Sequence, residues 1–106
     1  MESDDPTIDR VVIDLERAVP WRDWLATKPI RPYARKINGK LMVLPDHGIQ
    51  WPGVVVHIDG NLHEIRIHAG SGYRVYFRYE KRQARVVWWG IKADQSKDID
   101  RAKGET

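Results

Sequence analysis

Between Leu62 and Ile91 the chain reads LHEIRIHAGSGYRVYFRYEKRQARVVWWGI. Three runs of this stretch are rich in β-branched and aromatic residues, and two short segments rich in glycine or charge separate them. This pattern is typical of strands joined by tight turns. We therefore predict three consecutive antiparallel strands. Their predicted spans are 62–68, 73–79 and 84–91.

Upstream of this stretch the chain is predicted to contain two helices. Trp21, Trp24 and Leu25 have the i, i+3, i+4 spacing of one helix face. Pro20 suits the first turn of this helix, which must end before Pro29 because a proline restricts the residue ahead of it. A second helix is predicted over 32–44, and a polar C-terminal helix over 94–103.

Two more strands complete the predicted elements, over 10–16 and 54–58. The element order is then a strand, two helices, a run of antiparallel strands and a short helix. This order predicts an α+β fold, in which the N-terminal strand and two helices pack on a small antiparallel sheet. Residues 1–9 are predicted to form an acidic flexible lead-in, and residues 10–104 a single domain.

Length and composition exclude several classes of protein. A chain of 106 residues holds one domain, and its lack of cysteine excludes disulfide frameworks, thiolate zinc sites and cysteine nucleophiles. The longest apolar runs are far shorter than the ~20 residues of a membrane span. The first residues do not have the pattern of a signal peptide. We therefore expect a cytoplasmic protein with no membrane partner.

Charge is distributed unevenly along the chain. The net charge is +3, but residues 1–9 contain four acidic residues and no cation, whereas residues 66–92 contain seven cations and one acidic residue. So basic a segment favours a polyanionic partner, of which nucleic acid is the commonest. Eleven arginines against seven lysines favour phosphate recognition, because guanidinium groups bind phosphate through two hydrogen bonds. A merely solvated charged face remains the alternative.

Alternation along the strands assigns side chains to two faces of the sheet. One face is predicted to be polar, and the short Gly70–Gly72 turn makes its two central strands neighbours. The polar face carries Glu64, Arg66, His68, Arg74, Tyr76 and Arg78, with Lys92 at the end of the last strand. The core face carries Ile65, Ile67, Tyr73, Val75, Phe77, Tyr79, Val87 and Trp89. No metal site is predicted, since His63 and His68 point to opposite faces.

Two segments resemble a known family. Residues 64–77 read EIRIHAGSGYRVYF, which is similar to the E-L-R-I-x-x-G-x-G-Y-R-V-Y-F motif of RelE/HigB-type toxins. Residues 90–103 read GIKADQSKDIDRAK and, with Trp89 at the first Gly position, are similar to G-G-x-K-x-x-Q-x-x-D-I-x-x-A-K of the phage-associated "addiction module killer" branch of that superfamily. The resemblance covers about residues 10–104 and implies a RelE-like fold.

The resemblance also implies an activity. Members of this superfamily are toxins of type II toxin–antitoxin systems, typically mRNA endonucleases that act on the ribosome and are neutralised by an antitoxin, here expected to be a helix-turn-helix protein. Arg74 matches the arginine proposed to hold the scissile phosphate. Arg66 and Lys92 match basic positions before and after it. His68 stands at a variable position, so its assignment as a general base rests on chemistry alone.

These residues fit metal-independent RNA cleavage without a cofactor. The ribose 2′-hydroxyl attacks the adjacent phosphate, and fixed cations stabilise the charge that develops on it. The predicted catalytic residues are Arg66, His68, Arg74 and Lys92. The residues predicted to bind RNA are Tyr76, Arg78, Lys81, Arg82 and Arg85. The alternative is a non-catalytic module of phage or plasmid origin that uses the same basic face to bind nucleic acid or a protein.

Overall fold

The computed structural model describes residues 5–106 as three helices and one five-stranded sheet. The strands are β1 (Arg10–Val12), β2 (Val55–Asp59), β3 (Leu62–Ile67), β4 (Tyr73–Glu80) and β5 (Gln83–Ile91). The helices are α1 (Leu15–Ala26), α2 (Ala34–His47) and α3 (Gln95–Lys103), with short 3-10 turns at Arg31–Tyr33 and Lys92–Asp94. The predicted α+β class is confirmed, and each predicted strand and helix has a counterpart.

The sheet has the strand order β1-β5-β4-β3-β2. Strands β2 to β5 form the antiparallel run that the sequence predicts. The prediction of a wholly antiparallel sheet is wrong at one edge, because β1 pairs with β5 in parallel and makes the sheet mixed. Helices α1 and α2 lie between β1 and β2 in the chain, and the two strands they join stand at opposite edges of the sheet.

Helix α1 begins earlier than predicted. The predicted strand over 10–16 ends at Val12, and the helix starts at Leu15. Pro20 therefore lies inside α1 and not in its first turn. Because proline has no backbone N–H, the helix lacks one hydrogen bond at this position. At the start of the helix the Arg17 backbone N–H donates to the Asp14 carbonyl at 2.9 Å.

Both faces of the sheet are covered. The main core lies between the sheet and helices α1 and α2, and it contains Trp21, Leu25, Ile37, Leu41, Leu44, Ile65, Ile67, Val75, Phe77 and Val86. A smaller cluster lies on the opposite face, against α3, and contains Leu62, Tyr76, Val87 and Ala102. The face that the sequence predicts to be polar is therefore partly a second core.

A β-bulge in β5 places Val87 on the opposite face of the sheet from the one predicted. Tyr76 pairs with Trp88 and Phe77 pairs with Val86, so Val87 is an extra residue between two ladder positions. Such an insertion reverses the alternation of side chains beyond it. Val87 consequently packs in the cluster under α3, whereas Trp89 packs against the main core as predicted.

The N-terminal segment is packed against the domain over residues 5–9. Ile8 is 1% exposed and belongs to the main core. The Asp9 N–H donates to the Arg82 carbonyl at 2.6 Å, and the Tyr79 hydroxyl lies 2.7 Å from the Thr7 carbonyl oxygen. A flexible lead-in does not describe these five residues, since burial of Ile8 holds them. The rest of the predicted lead-in, residues 1–4, lies outside the described residues.

Candidate functional site

Three of the four predicted catalytic residues line one pocket of about 340 Å³. They are His68, Arg74 and Lys92, and the residues Ala69–Gly72 between β3 and β4 complete the lining. The Lys92 N–H donates to the Gly72 carbonyl at 2.9 Å, which ties the end of β5 to this turn. Residues 24 positions apart in the sequence thus meet at one end of the sheet. We name this site the turn pocket.

Two glycines allow the turn to take this shape. Gly70 has φ +55° and Gly72 has φ +87°, in the left-handed region that side chains disfavour. A Cβ on Gly70 would stand 2.8 Å from the Tyr33 ring, and a Cβ on Gly72 would stand 3.1 Å from the Lys92 Cβ. The turn therefore lies tightly between the Tyr33 side chain and Lys92, and this contact sets the width of the turn pocket.

Arg66 and Arg74 are direct cross-strand partners on β3 and β4. Like charges in this arrangement repel, so the pair needs a compensating anion. Glu64 supplies it: Arg66 Nε donates to Glu64 Oε2 at 2.7 Å, and Arg74 Nε lies 3.9 Å from the same oxygen. One carboxylate thus faces two guanidinium groups, and the three side chains together keep a net positive charge beside the turn pocket.

Gln95 completes this cluster from α3. Its side-chain amide lies 3.0 Å from both carboxylate oxygens of Glu64, which is fully buried. The sequence pattern places Glu64 on the polar face, but it assigns no role to Glu64 or to Gln95. Both stand in the motif segments quoted above, yet 31 positions separate them, and only the packing of α3 on the sheet brings them into contact.

Arg74 is the least exposed cation of the site, at 4%. Its Nη1 donates to its neighbour's carbonyl, on Tyr73, at 3.3 Å, and its Nε is buried without a hydrogen-bond acceptor among residues 5–106. A buried donor left unpaired destabilises a protein by about 1–3 kcal/mol. Arg74 Nε therefore keeps an unused donor beside Glu64, while the residue itself lines the turn pocket.

His68 and Arg66 stand at the margins of the site. The His68 ring is exposed, and its Nε2 lies 3.4 Å from the Gly53 carbonyl oxygen. Arg66 lies beside Arg74 and outside the residues that line the turn pocket, with 35% of its side chain exposed. The predicted catalytic group is therefore brought together, with Arg74 and Lys92 within the pocket, His68 at its rim and Arg66 next to it.

The predicted RNA-binding role of Tyr76 is wrong. Its ring is fully buried in the cluster under α3 and cannot stack on a base. Burial raises the pKa of its hydroxyl, and the negative charges of Glu64 and Asp98 raise it further. The sequence prediction assumed that this face meets solvent, but α3 covers it.

The cations predicted to bind RNA are mostly engaged within the molecule. Arg78 donates to Asn61 Oδ1 at 2.8 Å and to the Lys103 carbonyl at 3.0 Å, which holds the C-terminal end of α3. Arg82 lies 3.1 Å from carboxylate oxygens of both Asp5 and Asp9.

Arg85 is also paired with acidic side chains, whereas Lys81 is not. Arg85 lies 3.6 Å from Asp14 and 3.7 Å from Glu80, and it donates to the Thr106 carbonyl. Lys81 is exposed in the β4–β5 turn with φ +52° and forms no ion pair within residues 5–106. Of the five residues predicted to bind RNA, Lys81 alone keeps an accessible charge without a partner in the described part of the chain.

A second group of cations lies in the connection between α1 and α2 and in the first turn of α2, outside the segment that the sequence singled out. Lys28, Arg31, Arg35 and Lys36 are all exposed. None of them forms an ion pair with a carboxylate of the described residues. The basic surface that remains accessible is therefore distributed differently from the one predicted.

The described residues offer neither a metal-binding cluster nor a membrane-spanning helix. Within residues 5–106 there is no group of three or more histidine or acidic side chains that could hold a metal ion, and no helix there has the length and apolar character needed to cross a membrane. Comparison with protein-family models, curated proteins and solved structures finds no match.

Proposed function

We propose that this protein is a RelE/HigB-type toxin that cleaves mRNA on the ribosome and so inhibits translation in the cytoplasm. The observation that carries the proposal is the turn pocket, which Arg74, Lys92 and His68 line together, with Arg66 directly opposite Arg74 on the neighbouring strand. The resemblance in residues 64–77 and 90–103 supports the same activity and a RelE-like form of the α+β fold.

The charge of the site suits a phosphodiester. Arg66, Arg74 and Lys92 carry three positive charges, and Glu64 contributes a single negative one at this end of the sheet. These charges sum to +2, so a bound phosphodiester with one negative charge lowers the sum to +1 and supplies an acceptor for the Arg74 guanidinium. Because Arg74 is held rigidly by burial, its donors are oriented before the substrate arrives, which is the condition for strong electrostatic catalysis.

In the proposed reaction the ribose 2′-oxygen forms a bond to the neighbouring phosphorus, and the bond from phosphorus to the 5′-oxygen breaks. The proton of the 2′-hydroxyl passes to the His68 imidazole, and Arg74 and Arg66 stabilise the charge on the phosphorane oxygens. Lys92 donates a proton to the departing 5′-oxygen. The products are a 2′,3′-cyclic phosphate and a 5′-hydroxyl, and DNA is excluded because it has no attacking hydroxyl.

The site has few acid–base groups, which explains why the ribosome belongs in the proposal. His68 is exposed at the rim of the turn pocket, and its one hydrogen bond is to a backbone carbonyl. Alignment of reacting groups contributes about 7–11 kcal/mol in favourable cases, and here the ribosome supplies it by holding the mRNA.

The test is cleavage of a reporter mRNA in a translating extract. Wild-type protein is expected to cut the message only when ribosomes engage it and to leave 2′,3′-cyclic phosphate ends. Arg74→Gln is expected to reduce the cleavage rate by about 10²–10³-fold, the usual effect of removing one oriented donor. Arg22→Gln is the matched control, since Arg22 is an exposed arginine on α1. Equal rates for the two variants contradict the proposal.

The same experiment separates the alternative function, a non-catalytic binding module. The observation that favours it is the burial of Arg74. Only 5% of its side chain is exposed, and Glu64 lies 3.9 Å from its Nε and offsets part of its positive charge. A binding module shifts the mobility of RNA but leaves every message intact. The proposed cognate antitoxin, a helix-turn-helix protein, would in either case be expected to cover the turn pocket.

A further inference from the structure

Four exposed cations lie close together in the sequence, between the end of α1 and the first turn of α2. Between Asp23 and Asp46 the chain contains five cations and no acidic residue. Four of them, Lys28, Arg31, Arg35 and Lys36, are exposed, and we name these four the helical basic surface. The fifth, Lys40, is half-buried with its Nζ 5.0 Å from the centre of the Trp51 ring. No neighbouring carboxylate along this segment can neutralise the four.

The cations around the β4–β5 turn, by contrast, already have partners. Arg82 and Arg85 each face two carboxylates, and Arg78 donates to a carbonyl oxygen at the end of α3. The carboxylates beside Arg82 and Arg85 lower the local positive potential, so these residues attract a phosphate backbone less strongly than unpaired cations do. The helical basic surface has no such competitor within residues 5–106.

The helical basic surface adjoins the turn pocket through a shared wall. The Tyr33 ring packs on Gly70 and lies 5.6 Å from the Tyr73 ring, centre to centre. The Tyr73 hydroxyl donates to the Pro29 carbonyl at 3.5 Å. The segment from Pro29 to Tyr33 is thus packed against the turn that lines the pocket, and Lys28 and Arg31 stand within or directly beside that segment.

The chemistry of this surface suits a phosphate backbone better than a protein. The exposed large apolar side chains of the described residues are Leu15, Val19, Met42 and Val43, and none belongs to residues 26–36. A stable protein interface is organised around buried apolar or aromatic anchors, which this surface lacks. Fixed cations without such anchors are typical of surfaces that position nucleic acid through its phosphates.

We infer that an RNA strand held in the turn pocket continues across the Gly70 turn onto the helical basic surface, so that its footprint lies on that surface and not around the β4–β5 turn. This inference rests on the proposed function, because the pocket must hold a phosphate of the same strand. It replaces Arg78, Arg82 and Arg85 as RNA ligands by Lys28, Arg31, Arg35 and Lys36.

The test compares two variants that lose the same charge. One replaces the helical basic surface: Lys28→Gln, Arg31→Gln, Arg35→Gln and Lys36→Gln. The control replaces four exposed cations elsewhere: Arg10→Gln, Arg22→Gln, Arg101→Gln and Lys103→Gln. Binding is measured with 2′-O-methyl RNA, which cannot be cleaved, at two lengths of about three and about fifteen nucleotides, over a range of salt concentrations. Melting temperatures confirm that both variants fold.

The helical variant is expected to bind the long RNA at least tenfold more weakly and to bind the short RNA normally. Its dependence of log affinity on log salt should be shallower than that of the wild type by up to about 2.8, since each single-strand phosphate contact contributes about 0.7. The control should change this slope by less than about 0.7, one contact's share. Equal weakening by the two variants overturns the inference, as does displacement of the long RNA by an acidic peptide of equal length.

The outcome also distinguishes this inference from the proposed function. If Arg74→Gln abolishes binding of the short RNA while the helical variant leaves long-RNA binding unchanged, the pocket stands and the footprint is refuted. If the long RNA binds through the helical basic surface but the short RNA does not bind the wild type, the helices bind RNA and the pocket does not. That result overturns the continuous footprint together with the proposed function.

Discussion

Glu64 provides the sharpest test of how the site is held together. Its carboxylate is fully buried and faces two guanidinium groups, one close but partly exposed and one more distant but buried. Replacing it by glutamine keeps the volume and removes the charge. The side-chain amide then points donors at other donors, from Gln95 and from the arginines.

The two partners of Glu64 should respond differently. Arg66 lies 2.7 Å from Glu64, but 35% of its side chain is exposed, so water can solvate it when the carboxylate is lost. Because Arg66 remains solvated, we expect this pair to contribute about as much as exposed pairs do, about 0.2–1 kcal/mol. Arg74 lies 3.9 Å away with only 5% of its side chain exposed, and an uncompensated buried charge costs about 3–5 kcal/mol. The pair of Glu64 with Arg74 should therefore contribute more to stability than the pair with Arg66, although its charged atoms lie farther apart.

Double-mutant cycles measured by urea unfolding separate the two pairs. We expect a coupling energy of about 2–3 kcal/mol between Glu64→Gln and Arg74→Gln, and about 1 kcal/mol or less between Glu64→Gln and Arg66→Gln. Adding Arg74→Gln to Glu64→Gln should thus restore part of the lost stability. A larger coupling with Arg66 than with Arg74 would show that contact distance decides the interaction, and would refute this reasoning.

Two further perturbations test the packing around the site. Burial lowers the pKa of His63 below 6.5, so its neutral form is favoured in the folded state; the stability it contributes is present above pH 6.5 and is lost as the pH falls through its folded-state pKa. His63→Gln should flatten this decline in urea titrations, whereas His47→Gln, an exposed control, should preserve it. Gly90→Ala should destabilise the fold by about 1–3 kcal/mol, because its Cβ would overlap the Asp98 carboxylate and push α3 off the sheet. Asp98→Ala in the same chain should recover part of the loss; strictly additive effects in thermal melts would contradict the clash.

Local sequence patterns determined the antiparallel strands and the core of the candidate site. Alternation and turn residues between positions 54 and 91 are sufficient to predict four strands, because each strand's register with the next depends on a short turn. The same short turn forces His68 and Arg74 together, and Lys92 follows from the length of the last strand. These neighbours are close in the fold because they are close along a hairpin path.

Tertiary structure decided which charges are available. Alternation divides a strand's residues into two faces but does not reveal whether a distant segment covers either face. Helix α3 buries Tyr76 and brings Gln95 to Glu64, while Asp5, Asp9 and Asp14 neutralise cations more than 70 positions away along the chain. Ion pairing depends on distance in space and on burial, and neither quantity can be read from residue order. The sequence therefore predicted how many cations this protein has, and the packing of its two ends determined which of them remain free to bind.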